Sequence, residues 1–268
     1  MTKTMSPYTE FHPQNWAELQ DLLFQNTWDA RINRFRSEEI YRGLNVSSWR
    51  LETSLQRLGG PYEMLERHLL RNFRKYAHTD ASPGDSVWNW LAVAQHHGLP
   101  TRLLDWTYSP YVALHFATDD LNHFEEDGVI WCLNYVALNE HLPEKLKKVI
   151  KREQSNVFTA ELLGSVCKKL EDLSALEEDE FLLFLEPPSL DNRIVNQFAL
   201  FSLLSNPTVS LDDWLSKHPE YCSKIVISKS LKWEIRDKLD QANITERVLF
   251  PGLGGLSQWL KRHYSSRK

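Results

Sequence analysis

Residues 96–117, HHGLPTRLLDWTYSPYVALHFA, constrain this chain more than any other stretch. Gly98 followed by Pro100 stops a preceding helix, because glycine accepts the left-handed cap conformation and proline cannot extend the ladder. TRLLDWT then reads as extended. Ser109-Pro110 supplies an N-cap and a first-turn proline for a new helix through YVALHFAT. A helix, a strand and a second helix in so short a span set an α+β alternation.

The flanking sequence continues the pattern. Asp85-Ser86 caps a helix from Val87 to His97, and Asn15 or Pro13 opens one through WAELQDLLFQ. EEIYRGLN reads as a short strand ending at Gly43. In YEMLERHLLRNFRKYA, Leu65, Leu69, Phe73 and Tyr76 recur at helical spacing. After Asp127-Gly128, VIWCLNY is a strand, as is KIVIS further on, and NRIVNQFALFSLL has the apolar density of a buried central strand. A helix follows through SLKWEIRDKLDQA. Thr245 caps the turn into VLFPGLGG, and LSQWLKRHY makes the last helix. Between them, residues 141–180 are helical and heavily charged and read as an insertion, the least ordered part of the chain. No repeat or linker interrupts the pattern, so one domain over 1–268 is expected.

Composition narrows the setting. With 42% hydrophobic and 25% charged residues the chain suits a soluble globular class. A net charge of -5 provides no global attraction to nucleic acid or anionic lipid. Cys132, Cys167 and Cys222 are far apart and unmatched to any CxxC spacing, which points to a reducing compartment without a zinc knot or disulfide framework. The first residues, MTKTMSPYTEFHPQNW, lack the apolar core of a leader, and no run of 18 apolar residues exists for a membrane span. A cytoplasmic protein without a membrane partner is the expectation. Ten tryptophans suggest a thick core or aromatic-lined pockets.

The polar residues of 96–117 carry the functional question. His96 and His97 lie about 100° apart around a helix, and the helical zinc motif needs histidines four apart, so no metal site is expected. One of them suits the helix C-terminus, where partial negative charge favours it. On a strand, Asp105 shares a side with Thr101, Leu103 and Thr107, opposite Arg102, Leu104 and Trp106. A carboxylate there needs partners. The expected ones are backbone amides of the Trp106–Pro110 turn, with Arg102 or a histidine oriented by Asp105.

YRG at 41–43, SLQRL at 54–58, the 96–117 block, RIVNQFALF at 193–201 and LFPGLGGL at 249–256 together resemble the FRG domain family, named for its aromatic-Arg-Gly motif. The resemblance runs from about Trp16 to Trp259. One departure is Ala199, where the family's pattern usually has glycine. The family is distantly similar to ADP-ribosyltransferases, which implies a split mixed β-sheet with flanking helices and NAD held in the cleft. Three strand positions there carry the chemistry, and the resemblance assigns them to Arg42, the Asp105-Trp106-Thr107 region and Gln197. FRG-like proteins also resemble components of bacterial and phage conflict systems, which implies a toxin or effector in antiphage defence.

The chemistry of each residue is apt. Arginine's planar fork binds phosphate oxygens bidentately, so Arg42 beside flexible Gly43 suits a pyrophosphate, and Arg102 is a second phosphate ligand or a surface charge. Arg42 also has a structural alternative, an ion pair with Glu38 or Glu39. Gln197 needs hydrogen-bond partners in its apolar surroundings, which a ribose hydroxyl or a neighbouring backbone can supply. Trp106 or Tyr41 can stack on nicotinamide or adenine, or serve the core. Breaking the nicotinamide–ribose bond develops positive charge that a carboxylate stabilises better than an amide. The missing carboxylate at Gln197 leaves two other readings open. One is a non-catalytic sensor of a nucleotide or partner protein. The other is an effector directed at nucleic acid through RNFRK at 71–75 and KLKKVIKR at 145–152. The acceptor, protein or nucleic acid, is unspecified.

Overall fold

The strand Gly128–Asn134 is buried at every position except the last, which requires a central strand covered on both faces. It sits near the middle of a seven-stranded mixed sheet in the computed structural model, which describes residues 7–77, 81, 83–189 and 191–266. The first six residues of the leader reading therefore lie outside the described residues.

In chain order the strands are β1 (Thr9–Phe11), β2 (Trp28–Asp29), β3 (Arg34–Phe35), β4 (Glu39–Leu44), β5 (Leu104–Thr107), β6 (Gly128–Asn134), β7 (Leu182–Leu185), β8 (Ala199–Leu204) and β9 (Cys222–Ile227). The sheet order is β1-β9-β6-β4-β5-β8-β7, and β2 and β3 form a separate small ribbon. β1 runs parallel to β9, while the remaining pairs are antiparallel. The fold is α+β.

One face of the sheet carries a continuous apolar layer containing Ile40, Leu104, Trp106, Trp131, Phe184 and Leu200, closed by Trp214. The other face is covered by two separate helical groups. Helices Trp16–Leu23, Pro110–Phe116 and Lys232–Gln241 bring Leu19, Leu23, Leu114 and Leu239 over Tyr41, Ile130 and Ile225. Helices Val87–His96, Glu144–Glu153 and Ala160–Val166 bring Trp88, Leu91, Leu146 and Leu163 over Leu183, Phe201 and Leu203. The seam between the two groups falls at β4 and β5.

The sheet also parts at that seam. β4 pairs with β6 from Glu39↔Asn134 through Leu44↔Val129, but with β5 only at Tyr41↔Thr107. Gly43 holds one wall tight: a Cβ on it would stand 1.9 Å from the Ala113 carbonyl oxygen, so only glycine lets the helix Pro110–Phe116 lie on β4.

Two expectations are corrected. NRIVNQFALFSLL is not one strand: Asn192–Gln197 is a helix, and only Ala199–Leu204 is strand. Asp191 caps the helix by accepting from the Arg193 and Ile194 amides, and Phe198 ends it in the left-handed conformation at φ 48°. Apolar density cannot distinguish a short buried strand from a helix turn. Residues 141–180 are helical as expected but not the least ordered part of the chain, because Leu142, Leu146, Val149, Leu163, Leu170 and Leu173 all enter a core cluster. Their charge is the solvated side of amphipathic helices. No described helix is long and apolar enough to cross a membrane.

Candidate functional site

A cavity of about 310 Å³ occupies the seam where β4 and β5 separate. Arg42, Asp105 and Gln197 all line it, as do Tyr41, Gly43, Trp106 and Thr107. The alternation of β4 places Arg42 beside the gap, and its Nη1 donates to the main-chain carbonyl of Asp105 across the parted strands. Its Nε is buried without a hydrogen-bond partner. No carboxylate stands within 4.0 Å of the guanidinium among the described residues: Glu38 approaches Arg31 instead, and Glu39 accepts from the Tyr41 hydroxyl. Burial therefore pushes the Arg42 guanidinium down from its ordinary range, opposed by the field of Asp105 and assisted by that of Arg57.

Asp105 is exposed into the cavity, on the side of the sheet that alternation assigned it. Its Oδ2 accepts from Gln95 Nε2 at 2.8 Å. The expected bonds to the following turn are absent, because Thr107 Oγ1 accepts from the Ser109 amide and Ser109 Oγ accepts from the Val112 amide. The hydroxyls close the turn and leave the carboxylate to the cavity. Gln95, at the end of helix Val87–His96, also accepts from Thr101 Oγ1 at 2.6 Å and so is held at both ends of its amide.

Gln197 comes from the end of a helix rather than a strand. Its Nε2 donates to the Leu249 carbonyl at 3.0 Å, and its own carbonyl accepts from Thr107 Oγ1 at 2.7 Å. This ties β5 to the end of helix Glu246–Leu249, where LFPGLGGL begins. The amide oxygen has no hydrogen-bond partner among the described residues.

Arg102 belongs elsewhere. Alternation turns it to the far side of β5's leading end, where Nε and Nη2 grip the Glu66 carboxylate at 2.8 and 2.5 Å, both side chains almost wholly buried. It cannot serve as a phosphate ligand in the seam. Trp106 lines the cavity but is core, 2% exposed, with Nε1 donating to Ser202 Oγ at 2.8 Å. Tyr41 is core too, its hydroxyl directed to the Leu23 carbonyl. Neither has a free ring face for stacking.

His96 and His97 part company. His96 lines the cavity with Nε2 2.7 Å from Asp191 Oδ2, whereas His97 is exposed. Asp191 thereby joins the helix Asn192–Gln197 to the end of Val87–His96.

Sequence reasoning overlooked several lining residues. Asn45, just beyond Gly43, donates from Nδ2 to Asp119 Oδ1 at 2.7 Å and to the Phe116 carbonyl at 3.1 Å. Its Oδ1 accepts from the Asp120 amide at 3.2 Å. It therefore fixes the turn that carries Asp119. Burial lifts the Asp119 carboxyl above the ordinary carboxylate range, against the Asn45 hydrogen bond and the field of Arg236. One signal was available: Asp119 and Asp120 follow the C-terminus of a helix, where its dipole disfavours negative charge. Trp49, 44% exposed at the mouth, is far more open than Trp106 or Tyr41 and meets the His123 ring edge-to-face at 5.0 Å.

The cavity opens into a wider cleft of about 1240 Å³, and Asn45, Trp49, His96, Asp119 and Arg193 line both. The outer cleft is bounded by Phe250 and by Gly252–Gly255, the N-cap and first turn of helix Leu253–His263. Seam, arginine, carboxylates and amide thus form one site with an extended entrance.

The FRG domain model matches residues 37–126. That span supplies β4, β5 and the turn after helix Pro110–Phe116, hence Arg42, Asn45, Gln95, Asp105 and Asp119, but not Gln197. Searches of curated proteins and of solved structures return no match.

Proposed function

We propose, from the premise that this chain carries an FRG domain at residues 37–126, that the seam binds NAD and cleaves its nicotinamide–ribose bond. The ADP-ribosyl group then passes to water or another acceptor. The carrying observation is that Arg42, Asp105, Asp119 and Gln197 face one cavity at a parting of the sheet. The sheet's form supports an ADP-ribosyltransferase-like arrangement, a reading that rests on resemblance.

The residues fit such a substrate. Arg42 Nε is a buried donor in need of an acceptor, which a phosphate or ribose oxygen provides. The inner cavity takes one end of a dinucleotide and the outer cleft the rest. NAD supplies a labile glycosidic bond whose electron pair departs with nicotinamide, leaving positive charge on the ribose. Arg42 binds and orients anionic oxygens. Asp105 and Asp119 place negative charge where the ribose becomes cationic. Asp119, held by Asn45, also takes the proton released when water attacks. Gln197 has a free amide oxygen for a ribose hydroxyl.

Nicotinamide release, followed by chromatography beside thermal shift with NAD, tests this reading. Wild type is expected to be stabilised by NAD and to release nicotinamide. Arg42→Ala should lose both while keeping its own stability within about 1 kcal/mol, the worth of its single hydrogen bond. Asp119→Asn should keep the shift and lose at least roughly 100-fold in release, the scale of one electrostatic or acid–base contribution. Release without Arg42, or no shift and no release in wild type, sinks the proposal. A second reading, a nucleotide sensor without turnover, is favoured by the neutral amide at Gln197 and predicts the shift without the release.

A further inference from the structure

Apart from the seam, the molecule has a cleft of about 820 Å³ between helix Tyr62–Ala77 and the segment around Lys168–Ser174. Its charge is unusual for a chain whose net charge is -5. Arg67, Arg71 and Arg74 recur along one helix face at i, i+4 and i+7, so their side chains leave the axis at intervals of ~6 and ~4.5 Å. Lys168 and Lys169 face them from the other wall. Two carboxylates, Asp85 and Glu171, also line the cleft. Glu171 is taken by Arg67 at 3.0 Å, and Arg102 on the floor is taken by Glu66. Among the described residues no carboxylate comes within 4.0 Å of Arg71, Arg74, Lys168 or Lys169.

The cations are held rather than loose. Arg74 packs over the Trp90 ring at 5.5 Å. The amides of Lys168 and Lys169 both donate to Asp172 Oδ2, at 2.8 and 2.9 Å, which fixes the lysine wall. Of the basic run at residues 71–75, Arg71 and Arg74 line this cleft.

Four cations without an ion pair among the described residues outnumber the remaining carboxylate, Asp85, on the walls of the cleft and repel one another, which a polyanion relieves. A row of cations at intervals comparable to the charges of a phosphodiester strand, facing a second row, suits a single strand lying between them. Arg71, Lys168 and Lys169 stand exposed on the two walls, so a strand lying between them meets cations on both sides. We propose that this cleft binds the phosphodiester backbone of single-stranded nucleic acid, without base readout. Apolar Met64, Leu70, Val87 and Leu170 complete the lining.

This inference does not depend on the NAD reading of the seam. Fluorescence anisotropy with labelled single strands of roughly 16 nucleotides, DNA and RNA, tests it across about 50 to 200 mM salt. Wild type should bind with a log–log salt slope of about -3, four contacts at ~0.7 each. Arg71→Gln/Lys168→Gln/Lys169→Gln changes only exposed side chains and should weaken binding at least tenfold and shrink the slope by about 2. Its unchanged melting temperature and retained NAD response show that the fold and the seam survive. Arg42→Ala should bind the strand as wild type does. The proposal is overturned by any of three results: no binding at about 50 mM salt, undiminished binding by the triple variant, or a duplex of equal length binding as tightly. Loss of strand binding in Arg42→Ala would move the ligand to the seam and equally overturn it.

Discussion

At the scale of single residues, position 197 separates catalysis from mere binding. Its amide nitrogen donates to the Leu249 carbonyl while its oxygen has no partner among the described residues. Gln197→Glu keeps the size, removes that donor and adds negative charge beside the expected cationic ribose. In a cleaving enzyme it should raise nicotinamide release, offset by about 1–3 kcal/mol of stability for the unpaired Leu249 carbonyl. Release that falls in parallel with unfolding in urea would make Gln197 a structural tie only. Gly43 acts through sterics. Gly43→Ala drives a Cβ into the Ala113 carbonyl and must push helix Pro110–Phe116 off β4. A loss of roughly 1–3 kcal/mol or more is expected in chemical denaturation, with the NAD response lost as well. Wild-type stability in that variant would show that the helix does not need to lie so close.

At the scale of elements, the approach to β5 is anchored by an ion pair distant from the seam. Arg102 and Glu66 bind helix Tyr62–Ala77 to the strand's leading residues, and the Arg102 amide also donates to Glu66 Oε1 at 3.2 Å. Either partner alone would be a buried uncompensated charge. Glu66→Ala or Arg102→Ala should therefore cost about 3–5 kcal/mol, whereas Arg102→Met/Glu66→Leu should recover most of it. Urea midpoints of the three variants give the comparison. A double variant no better than the singles would mean that the pair's geometry, beyond its mutual neutralisation, is needed to seat β5. The elements at the opposite rim are joined by a different device, the His96–Asp191 contact linking two helix ends at 2.7 Å.

At the scale of the whole molecule, a buried charge cluster decides how stability responds to acid. His115 is fully buried, and its Nδ1 lies 2.9 Å from Arg236 Nη1. Arginine can only donate, so Nδ1 accepts and the ring is neutral with its proton on Nε2. Burial first, and then the field of Arg236, push its pKa down to about 3 from 6.5. Glu246 is opposed by burial but held at about 2 by the Arg262 hydrogen bond and the field of Arg236. Both pKa values are depressed in the fold, so between folded and unfolded values the unfolded chain binds the extra proton. Stability from His115 should fall as pH drops from 6.5 toward 3, and that from Glu246 from 4.5 toward 2. Asp119 and Asp212, raised by burial from 3.8, and Glu39, raised by burial from 4.5, act in the opposite sense. His218, lowered from 6.5 by burial and then by His141, adds to the upper limb that His115 leads. A loss of up to ~2 kcal/mol between pH 6.5 and 5 is expected in urea unfolding. His115→Gln, which keeps an acceptor for Arg236, should flatten that limb; an unchanged slope would assign it to another group.

Local chemistry determined much of this on its own. Asn15, Ser86 and Ser109 each cap the helix that the sequence assigned to them, and Thr245, expected to cap a turn, caps the short helix Glu246–Leu249, because a side-chain oxygen satisfies an amide a few residues away whatever the rest of the molecule does. The strands at EIYRGL and GVIWCLN were legible for a similar reason, their apolar character being bounded by turn residues. What lies far apart in sequence was not legible. Leu182–Leu185 becomes an edge strand only because Phe201–Leu204 lie beside it. The helix at NRIVNQ is the exception, since its caps Asp191 and Phe198 are local and the apolar run that follows masked them. Arg102 left the site because β5 turned it toward Glu66, and Asp119 entered because Asn45 reached across from β4. Caps and periodicity act over single turns of chain. Register, the parting of β4 from β5 and the choice of partner for each charge are settled by contacts tens to hundreds of residues away, whose free energy exists only once the chain has closed on itself.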